Sequence, residues 1–214
     1  MGARRDRFFF LRLGLILAFG AAAIVGAERY RRAQRPKPAP PDVQRQGLEL
    51  LDGLLARIGK TDFGQSARGV LLTETLADFL RRGRLVFTAG ISAQALYRQE
   101  LFGSEILYVK VLRMGDRLVH QPPEGIAEGV YHEAVHARQS SYGGSSIEEE
   151  CDGYAAGLAA GAAATGAKLP DLLTLDGVPV ARFVVKAYPG LGRRLGYQPV
   201  GESPEWLFRR TGLQ

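Results

Sequence analysis

Apolar positions follow a helical period in two early segments of the chain. They recur every three or four residues over 42–58 and over 66–82, a spacing that places them on one face of an α-helix. Asp42 is the predicted N-cap of the first helix. The apolar positions expected to be buried in the second helix are Val70, Leu71, Leu76, Phe79 and Leu80. Both helices are therefore expected to pack on the core of a domain.

The pattern changes after the second helix. Residues 84–88 and 105–113 are rich in β-branched and aromatic side chains and predict two strands, and 118–120 predicts a third that pairs back through a turn. Residues 91–101 predict a short helix. Helical patterns return afterwards and include the Ala- and Gly-rich run 155–167, which we expect to be a buried support. The sequence thus predicts an α+β fold, mainly helical, with a small β-sheet.

Two of the three histidines of the chain stand four residues apart, in the pattern His132-Glu133-Ala134-Val135-His136. On a helix this spacing places both imidazoles on one face, one turn apart, where they can bind one Zn²⁺. Glu133 is offset from that face, so its carboxylate can reach a water on the metal and accept its proton. The pattern therefore predicts a catalytic zinc site that begins with these three residues.

A catalytic zinc site needs a third protein ligand, and an acidic segment follows at residues 148–152. Glu148 and Asp152 share a helix face, so Glu148 can supply a carboxylate oxygen while Asp152 orients a ligand histidine through its N–H. Glu149 is the alternative ligand if this helix is rotated. The competing interpretation is a solvated acidic first turn that stabilises the helix dipole. Beside the histidine motif we favour Glu148 as the ligand.

The remaining potential soft ligands are assigned structural roles. His120 lies outside the histidine motif and is expected to be a surface or packing residue. Cys151 is the only cysteine, so it cannot form an internal disulfide, and we expect it to pack in the core.

His132-Glu133-x-x-His136 followed by Glu148-x-x-x-Asp152 resembles the zinc-binding core of the gluzincin metallopeptidases. The resemblance covers only this part of the chain and is nearer to compact bacterial zincin domains than to thermolysin. It implies that His132, His136 and Glu148 bind zinc, that Glu133 is the general base and that Asp152 supports a ligand histidine.

The same resemblance implies a zincin-like fold in which an edge strand aligns an extended peptide by main-chain pairing. The strand 105–113 or its neighbour is the candidate. Zincins often hold the oxyanion with a tyrosine or histidine across the cleft, and Tyr142, Tyr188 and Tyr197 remain open alternatives for that role.

The N-terminal region has a membrane-targeting character. Phe8 to Ala27 is apolar apart from Arg12 and is long enough to cross a bilayer core. We favour an uncleaved anchor, because basic residues and a linker follow directly, over a secretory signal peptide cleaved near Val25-Gly26-Ala27. Residues 28–41 are rich in proline and predict a basic, extended spacer. The domain organisation expected is an anchor or signal sequence at 1–27, a linker at 28–41 and a zincin-like domain at 42–214.

The positive net charge of +6 belongs to the N-terminal region. Residues 1–45 carry a net charge of +7, whereas residues 46–214 carry −1. The globular part therefore lacks the basic excess that a nucleic-acid interface requires.

The function expected is that of a membrane-anchored zinc metallopeptidase acting on a peptide or protein substrate. Its catalytic domain would be extracytoplasmic, and the protein would be secreted if the N-terminal segment were cleaved. The alternatives are a non-catalytic, membrane-tethered zincin-like module that keeps zinc for folding, and a zinc-free scaffold in which the histidine motif is accidental.

Overall fold

A computed structural model describes residues 33–99, 105–139 and 145–213 of the chain. Pro36–Gln99 and Glu105–Gln214 form one compact unit. The other unit comprises Met1–Arg35 and Glu100–Ser104, of which only residues 33–35 belong to the described part. The predicted anchor at 8–27 therefore lies outside the described residues, and among the described residues no helix is long and apolar enough to cross a membrane.

The α+β class is confirmed, with about half of the chain helical and only small sheets. The helices are α1 (Pro41–Ile58), α2 (Asp62–Gln65), α3 (Ala67–Arg81), α4 (Pro123–Gln139), α5 (Ile147–Thr165), α6 (Val180–Ala187) and α7 (Pro204–Thr211). The strands are β1 (Leu85–Thr88), β2 (Ala95–Gln99), β3 (Glu105–Met114), β4 (Arg117–His120), β5 (Thr174–Leu175) and β6 (Val178–Pro179).

The larger sheet is built around β3, which pairs with three other strands. β1 lies parallel to it, from Leu85 opposite Leu107 onwards. β2 and β4 are antiparallel to β3, along its first and second halves respectively. The predicted strands at 84–88, 105–113 and 118–120 are confirmed as β1, β3 and β4.

The segment 91–101 was expected to be helical, and that prediction is wrong. Residues 95–99 form β2, which pairs with β3 from Ala95 opposite Val109 to Gln99 opposite Glu105. An amphipathic segment of this length has no strong intrinsic preference, so an available strand edge determines its conformation. β2 is thereby placed at the edge of the sheet opposite β1.

Both early helices are confirmed, with two corrections. The N-cap of α1 is Pro40 rather than Asp42, and Asp42 lies in the first turn, where it still favours the helix dipole. Ser66 caps α3 by accepting a hydrogen bond from the Gly69 N–H at 3.0 Å. Val70 was expected to be buried but is exposed, because the buried face of α3 passes through Leu72 instead.

Helices α4 and α5 approach each other closely because glycines line one face of α5. A Cβ added to Gly157 would lie 2.5 Å from the Glu128 carbonyl oxygen, and one added to Gly161 would lie 2.7 Å from Glu128 Cγ. Only glycine permits this separation of the two helices. The predicted role as a buried support is therefore confirmed for residues 155–161, whereas residues 162–164 are partly buried and residues 165–167 are exposed.

Two apolar clusters form the core, one on each side of α5. The first packs the larger sheet against α1, α3, α4 and α5 around Leu51, Leu72, Phe87, Val109 and Val130. The second packs α5 against α6, α7 and the C-terminal residues around Cys151, Leu173, Val184 and Leu207. Cys151 is fully buried there, as expected for a packing residue.

The last residues of the predicted linker contact the folded unit. The Ala39 N–H donates to the Phe87 carbonyl at 2.8 Å, and the Thr88 hydroxyl donates to the Lys37 carbonyl at 2.7 Å. Ala39 is buried by these contacts. The folded unit therefore begins before residue 42, at the second half of the proline-rich segment.

Candidate metal centre

Helix α4 presents the two motif histidines on one face, as their spacing predicts. Their Nε2 atoms are 3.1 Å apart and the ring centroids 4.9 Å apart. Both side chains are mostly buried, with 13% and 12% of their surface exposed. Two imidazole nitrogens thus converge on one point beside the N-terminal part of α5.

Glu150 on α5 completes a group with these two nitrogens. Its carboxylate oxygens lie 3.4 Å from His132 Nε2 and 3.5 Å from His136 Nε2. Ligands placed about 2.0–2.1 Å from a tetrahedral zinc ion lie about 3.3 Å from one another. The 3.1 Å between the two Nε2 atoms is close to that value, and each Nε2 has a different Glu150 oxygen at 3.4 or 3.5 Å. His132, His136 and Glu150 can therefore hold a metal ion.

Glu148 does not take part in this group, which corrects the predicted ligand set. One of its carboxylate oxygens forms an ion pair with Arg193, and the other accepts the Arg194 N–H at 2.8 Å. These contacts hold the pKa of Glu148 below its usual range, because together they outweigh the opposing effect of burial. Glu148 is a buried anchor for the segment after α6 rather than a neighbour of the histidines.

Glu149 has the orienting role that was predicted for Asp152. Its carboxylate lies 2.9 Å from His136 Nδ1, so that Nδ1 donates and Nε2 is left to face the metal position. Arg194 lies 3.8 Å from the other oxygen of Glu149. The geometry therefore does not favour the alternative prediction, in which Glu149 replaces Glu148 as a ligand.

Asp152 contacts neither motif histidine and instead forms a buried ion pair. It lies 2.6 Å from an Arg68 guanidinium nitrogen, and its second oxygen accepts the Tyr197 hydroxyl at 2.9 Å and the Val200 N–H at 3.0 Å. Arg68 and Asp152 are 1% and 0% exposed. Asp152 thus connects α5 to α3 and to the C-terminal segment, and its predicted contact with a ligand histidine is wrong.

The charges within the group stabilise one another. Burial lowers the pKa of His136, but the hydrogen bond to Glu149 and the nearby carboxylates outweigh it, and the net pKa is raised. Burial raises the pKa of Glu150, but its interactions with His132 and His136 outweigh it, and the net pKa is lowered. Glu150 is therefore ionised at neutral pH, which is the state that a metal ion requires of a carboxylate ligand.

Glu133, the predicted general base, lies between the histidines and the edge strand β2. Its carboxylate accepts the Tyr97 N–H at 2.8 Å. Tyr97 on β2 is opposite Leu107 on β3. The Leu107 N–H donates to the Arg84 carbonyl, on the side of β3 that faces β1. The main-chain groups of Tyr97 therefore point away from β3. The outward edge of β2 therefore faces Glu133 on α4.

A cavity of about 280 Å³ opens beside His132 and Glu133. Its lining includes Tyr154 and Tyr188, whose hydroxyls are 3.0 Å apart. The Tyr154 ring also packs edge-on against His132, with centroids 4.5 Å apart. Among the three tyrosines considered as oxyanion donors, Tyr188 lines the cavity, Tyr197 is bound to Asp152, and Tyr142 lies outside the described residues.

His120, as expected, is not part of the group. It packs edge-on against Phe87, with ring centroids 5.2 Å apart. Burial lowers the pKa of His120, so it is a neutral packing residue.

Glu150 and Tyr154 were missed as site residues by analysis of the sequence, and Glu149 was considered only as an alternative ligand, although a signal for Glu150 is present. Successive residues of a helix are about 100° apart, so the glycines of α5 define the face that meets α4. Measured from Gly157, the middle glycine of that face, Glu150 is about 20° away, Glu149 about 80° and Glu148 about 180°. The glycine spacing therefore indicates Glu150 as the carboxylate nearest to the histidines.

Comparisons with known proteins find no relative: no family model, no curated protein and no solved structure matches the chain.

Proposed function

We propose that the protein is a zinc-dependent hydrolase of peptide bonds, with His132, His136 and Glu150 as metal ligands and Glu133 as the general base. The observation that supports it best is the convergence of two imidazole nitrogens, 3.1 Å apart, and the Glu150 carboxylate, with one potential ligand atom of each residue within 4.8 Å of the others. The ligand types also favour zinc, since two imidazoles and one carboxylate with an open position are typical of catalytic zinc sites. The zincin-like fold belongs to the same proposal.

Zinc at this position would polarise the substrate carbonyl and lower the pKa of a water molecule towards neutrality. Glu133 would take the proton of that water on its carboxylate and pass it to the leaving amine. The Tyr97 N–H, 2.8 Å from one carboxylate oxygen, fixes the orientation of Glu133 for this transfer. Glu149 would keep His136 in the tautomer that offers Nε2 to the metal.

The Tyr154 hydroxyl is suited to stabilise the oxyanion. Burial raises the pKa of Tyr154, and its interaction with Tyr188 raises it further, so the hydroxyl remains protonated and available as a donor. Both tyrosines line the same cavity as Glu133.

The cellular setting is proposed from the sequence alone. The apolar segment 8–27 would hold the enzyme at a membrane, with the proline-rich segment after it as a spacer and with the catalytic domain on the extracytoplasmic side.

Metal analysis of the purified full-length protein tests the ligand set. We expect about one zinc per chain in the wild type and its loss in Glu150→Gln and in His136→Ala. Glu148→Gln is the matched control, because it makes the same chemical change two residues away and should retain the metal. Retention of zinc by a folded Glu150→Gln variant, with loss in Glu148→Gln, would contradict the assignment.

Hydrolysis of a mixed peptide library tests the catalytic role. Glu133→Gln should keep the metal and lose activity by about 10²–10⁴-fold, the usual contribution of a general base. Zinc binding without hydrolysis by the wild type would instead identify the non-catalytic module, in which the metal serves folding.

A further inference from the structure

The cavity beside the metal position contains one acidic side chain that the proposed mechanism does not use. Glu128 lies on α4, one turn before His132, and lines the same cavity of about 280 Å³. The other carboxylate of that lining is Glu133, and none of the described residues that line the cavity is a lysine or arginine.

Glu128 is partly buried without a cationic partner. Within the described part of the chain it forms no ion pair. Burial raises the pKa of Glu128 and repulsion from Glu124 adds to this, while a hydrogen bond with Gln94 acts in the opposite direction. A partly buried carboxylate in this position would be stabilised by a cation supplied from outside the chain.

The backbone of α5 provides the space for this carboxylate. A Cβ on Gly161 would lie 2.9 Å from Glu128 Oε1, and a Cβ on Gly157 would lie 2.5 Å from the Glu128 carbonyl oxygen. The lining also includes the small residues Ala93, Ala95 and Gly129. The space next to the Glu128 carboxylate is therefore small, but neighbouring side chains do not fill it.

Resting on the proposed function, we propose that Glu128 determines specificity by binding a cationic group, a Lys or Arg side chain of the substrate next to the cleaved bond. Four residues of helix separate Glu128 from His132, a rise of about 6 Å. An extended peptide advances about 3.3–3.6 Å per residue. A long basic side chain attached one residue from the cleaved bond can therefore reach Glu128 while the carbonyl is at the metal.

A second cavity extends this acidic surface. It has a volume of about 340 Å³, and Glu128 and Leu158 line both cavities. This second cavity is also lined by Lys168 and by Glu124, which lies one turn before Glu128 on α4. The basic side chain of a substrate would thus reach the Glu128 carboxylate from one of the two cavities that Glu128 lines.

The test compares cleavage of matched peptides by the zinc-loaded, full-length protein. The peptides of the first set have acetylated amino termini and carry lysine, citrulline or norleucine beside the cleaved bond. A second set has free amino termini and tests whether an α-amino group is the cation that binds instead. We expect at least about a tenfold higher kcat/KM for lysine than for norleucine, as a charge-assisted hydrogen bond would give. Glu128→Gln should abolish that ratio by lowering kcat/KM for the lysine peptide.

Glu74→Gln is the control for loss of one negative charge, because Glu74 is exposed on α3 and far along the chain from the cavity. It should leave the lysine preference intact. Equal cleavage of the lysine and norleucine peptides by the wild type, or a preference that survives in Glu128→Gln, overturns the assignment, as does a preference that depends on a free amino terminus.

Binding of lysine hydroxamate and norleucine hydroxamate, measured by calorimetry, separates this inference from the proposed function. We expect tighter binding of lysine hydroxamate by about tenfold, lost in Glu128→Gln. Equal binding of both compounds would leave the metal centre in place and remove the role of Glu128. Binding of neither compound would contradict the metal centre and, with it, this inference.

Discussion

At the scale of single residues, the metal position depends on side chains that hold the ligands as much as on the ligands themselves. His136 is oriented by Glu149, and His132 is enclosed between Tyr154 and the backbone of α5 at Gly153. Removing such supports commonly lowers metal affinity without disturbing the fold.

Glu149→Gln tests the first of these supports. The amide cannot stabilise the Nδ1–H of His136 as the carboxylate does, so zinc affinity should fall by about 10–100-fold. Competition with a fluorescent chelator measures the affinity, and circular dichroism checks that the fold is intact. Glu148→Gln is the control, and a comparable loss of affinity in that variant would argue against a specific role for Glu149.

Gly153→Ala tests the second support, the enclosure of His132 by the backbone of α5. An added Cβ would lie 3.0 Å from two atoms of the His132 ring, so the ring must shift and zinc affinity should decrease about tenfold. Gly53→Ala on α1 is the matched control, because its Cβ would meet no atom within 4 Å. That change should leave zinc affinity constant and stabilise the fold by about 0.5–1 kcal/mol. Unaltered affinity in Gly153→Ala would show that the ring has room to move.

At the scale of elements, α5 is the structure on which the site depends, because its four acidic residues contact three different parts of the fold. Glu150 faces the histidines, Glu149 holds His136, Glu148 binds the segment after α6, and Asp152 binds α3 through Arg68. The rotation of α5 about its axis is fixed by these contacts and by its glycine face. The site is therefore a consequence of how α5 is packed.

Asp152→Asn is predicted to affect the fold rather than the metal. It leaves the Arg68 charge buried without its partner, which typically costs about 3–5 kcal/mol of the free energy of unfolding. Urea denaturation of the zinc-free protein measures the loss. An exposed pair such as Arg82–Asp78 provides the comparison, since Asp78→Asn should cost under about 1 kcal/mol. Loss of zinc affinity in Asp152→Asn with unchanged stability would restore the role first predicted for Asp152.

At the scale of the whole molecule, the metal would connect α4 to α5 and so stabilise the folded state. A ligand at 100 times its dissociation constant adds about 2.7 kcal/mol, which corresponds to an increase in Tm of about 5–10 °C for a chain of this size. Differential scanning calorimetry with zinc and then with excess EDTA measures the change. A Tm that does not change on addition of zinc would contradict a zinc site in the native protein.

The stabilisation by zinc is predicted to increase with pH. The pKa of His136 is raised in the zinc-free protein, so its contribution to stability is fully present below its unfolded pKa of about 6.5 and is lost as the pH rises through the folded pKa. Zinc requires the neutral imidazole and competes with that proton. The difference in Tm between zinc-loaded and zinc-free protein should therefore be larger at pH 8 than at pH 6, and a constant difference would contradict this coupling.

Particular elements show how far the sequence could be interpreted. The strand 105–113 and the helix carrying His132 have strong, uninterrupted patterns, and both are confirmed. The segment 95–99 has no such pattern, and pairing with β3 decides its conformation. The helix starts differ in the same way: Ser66 caps α3 through a local hydrogen bond, whereas the predicted cap Asp42 gives way to Pro40 because the chain before α1 is held by β1.

The sequence by itself determined the α+β class, most of the helices and the pairing of His132 with His136, because these depend on local periodicity. Only the tertiary structure decided which of three consecutive glutamates faces the histidines. That choice depends on the rotation of α5, and the rotation is fixed by contacts with α3, α4 and the C-terminal segment, which lie far away in the sequence. Adjacent residues of a helix differ by about 100° in direction, so the rotation of α5 decides which carboxylate faces the histidines and which forms a structural ion pair.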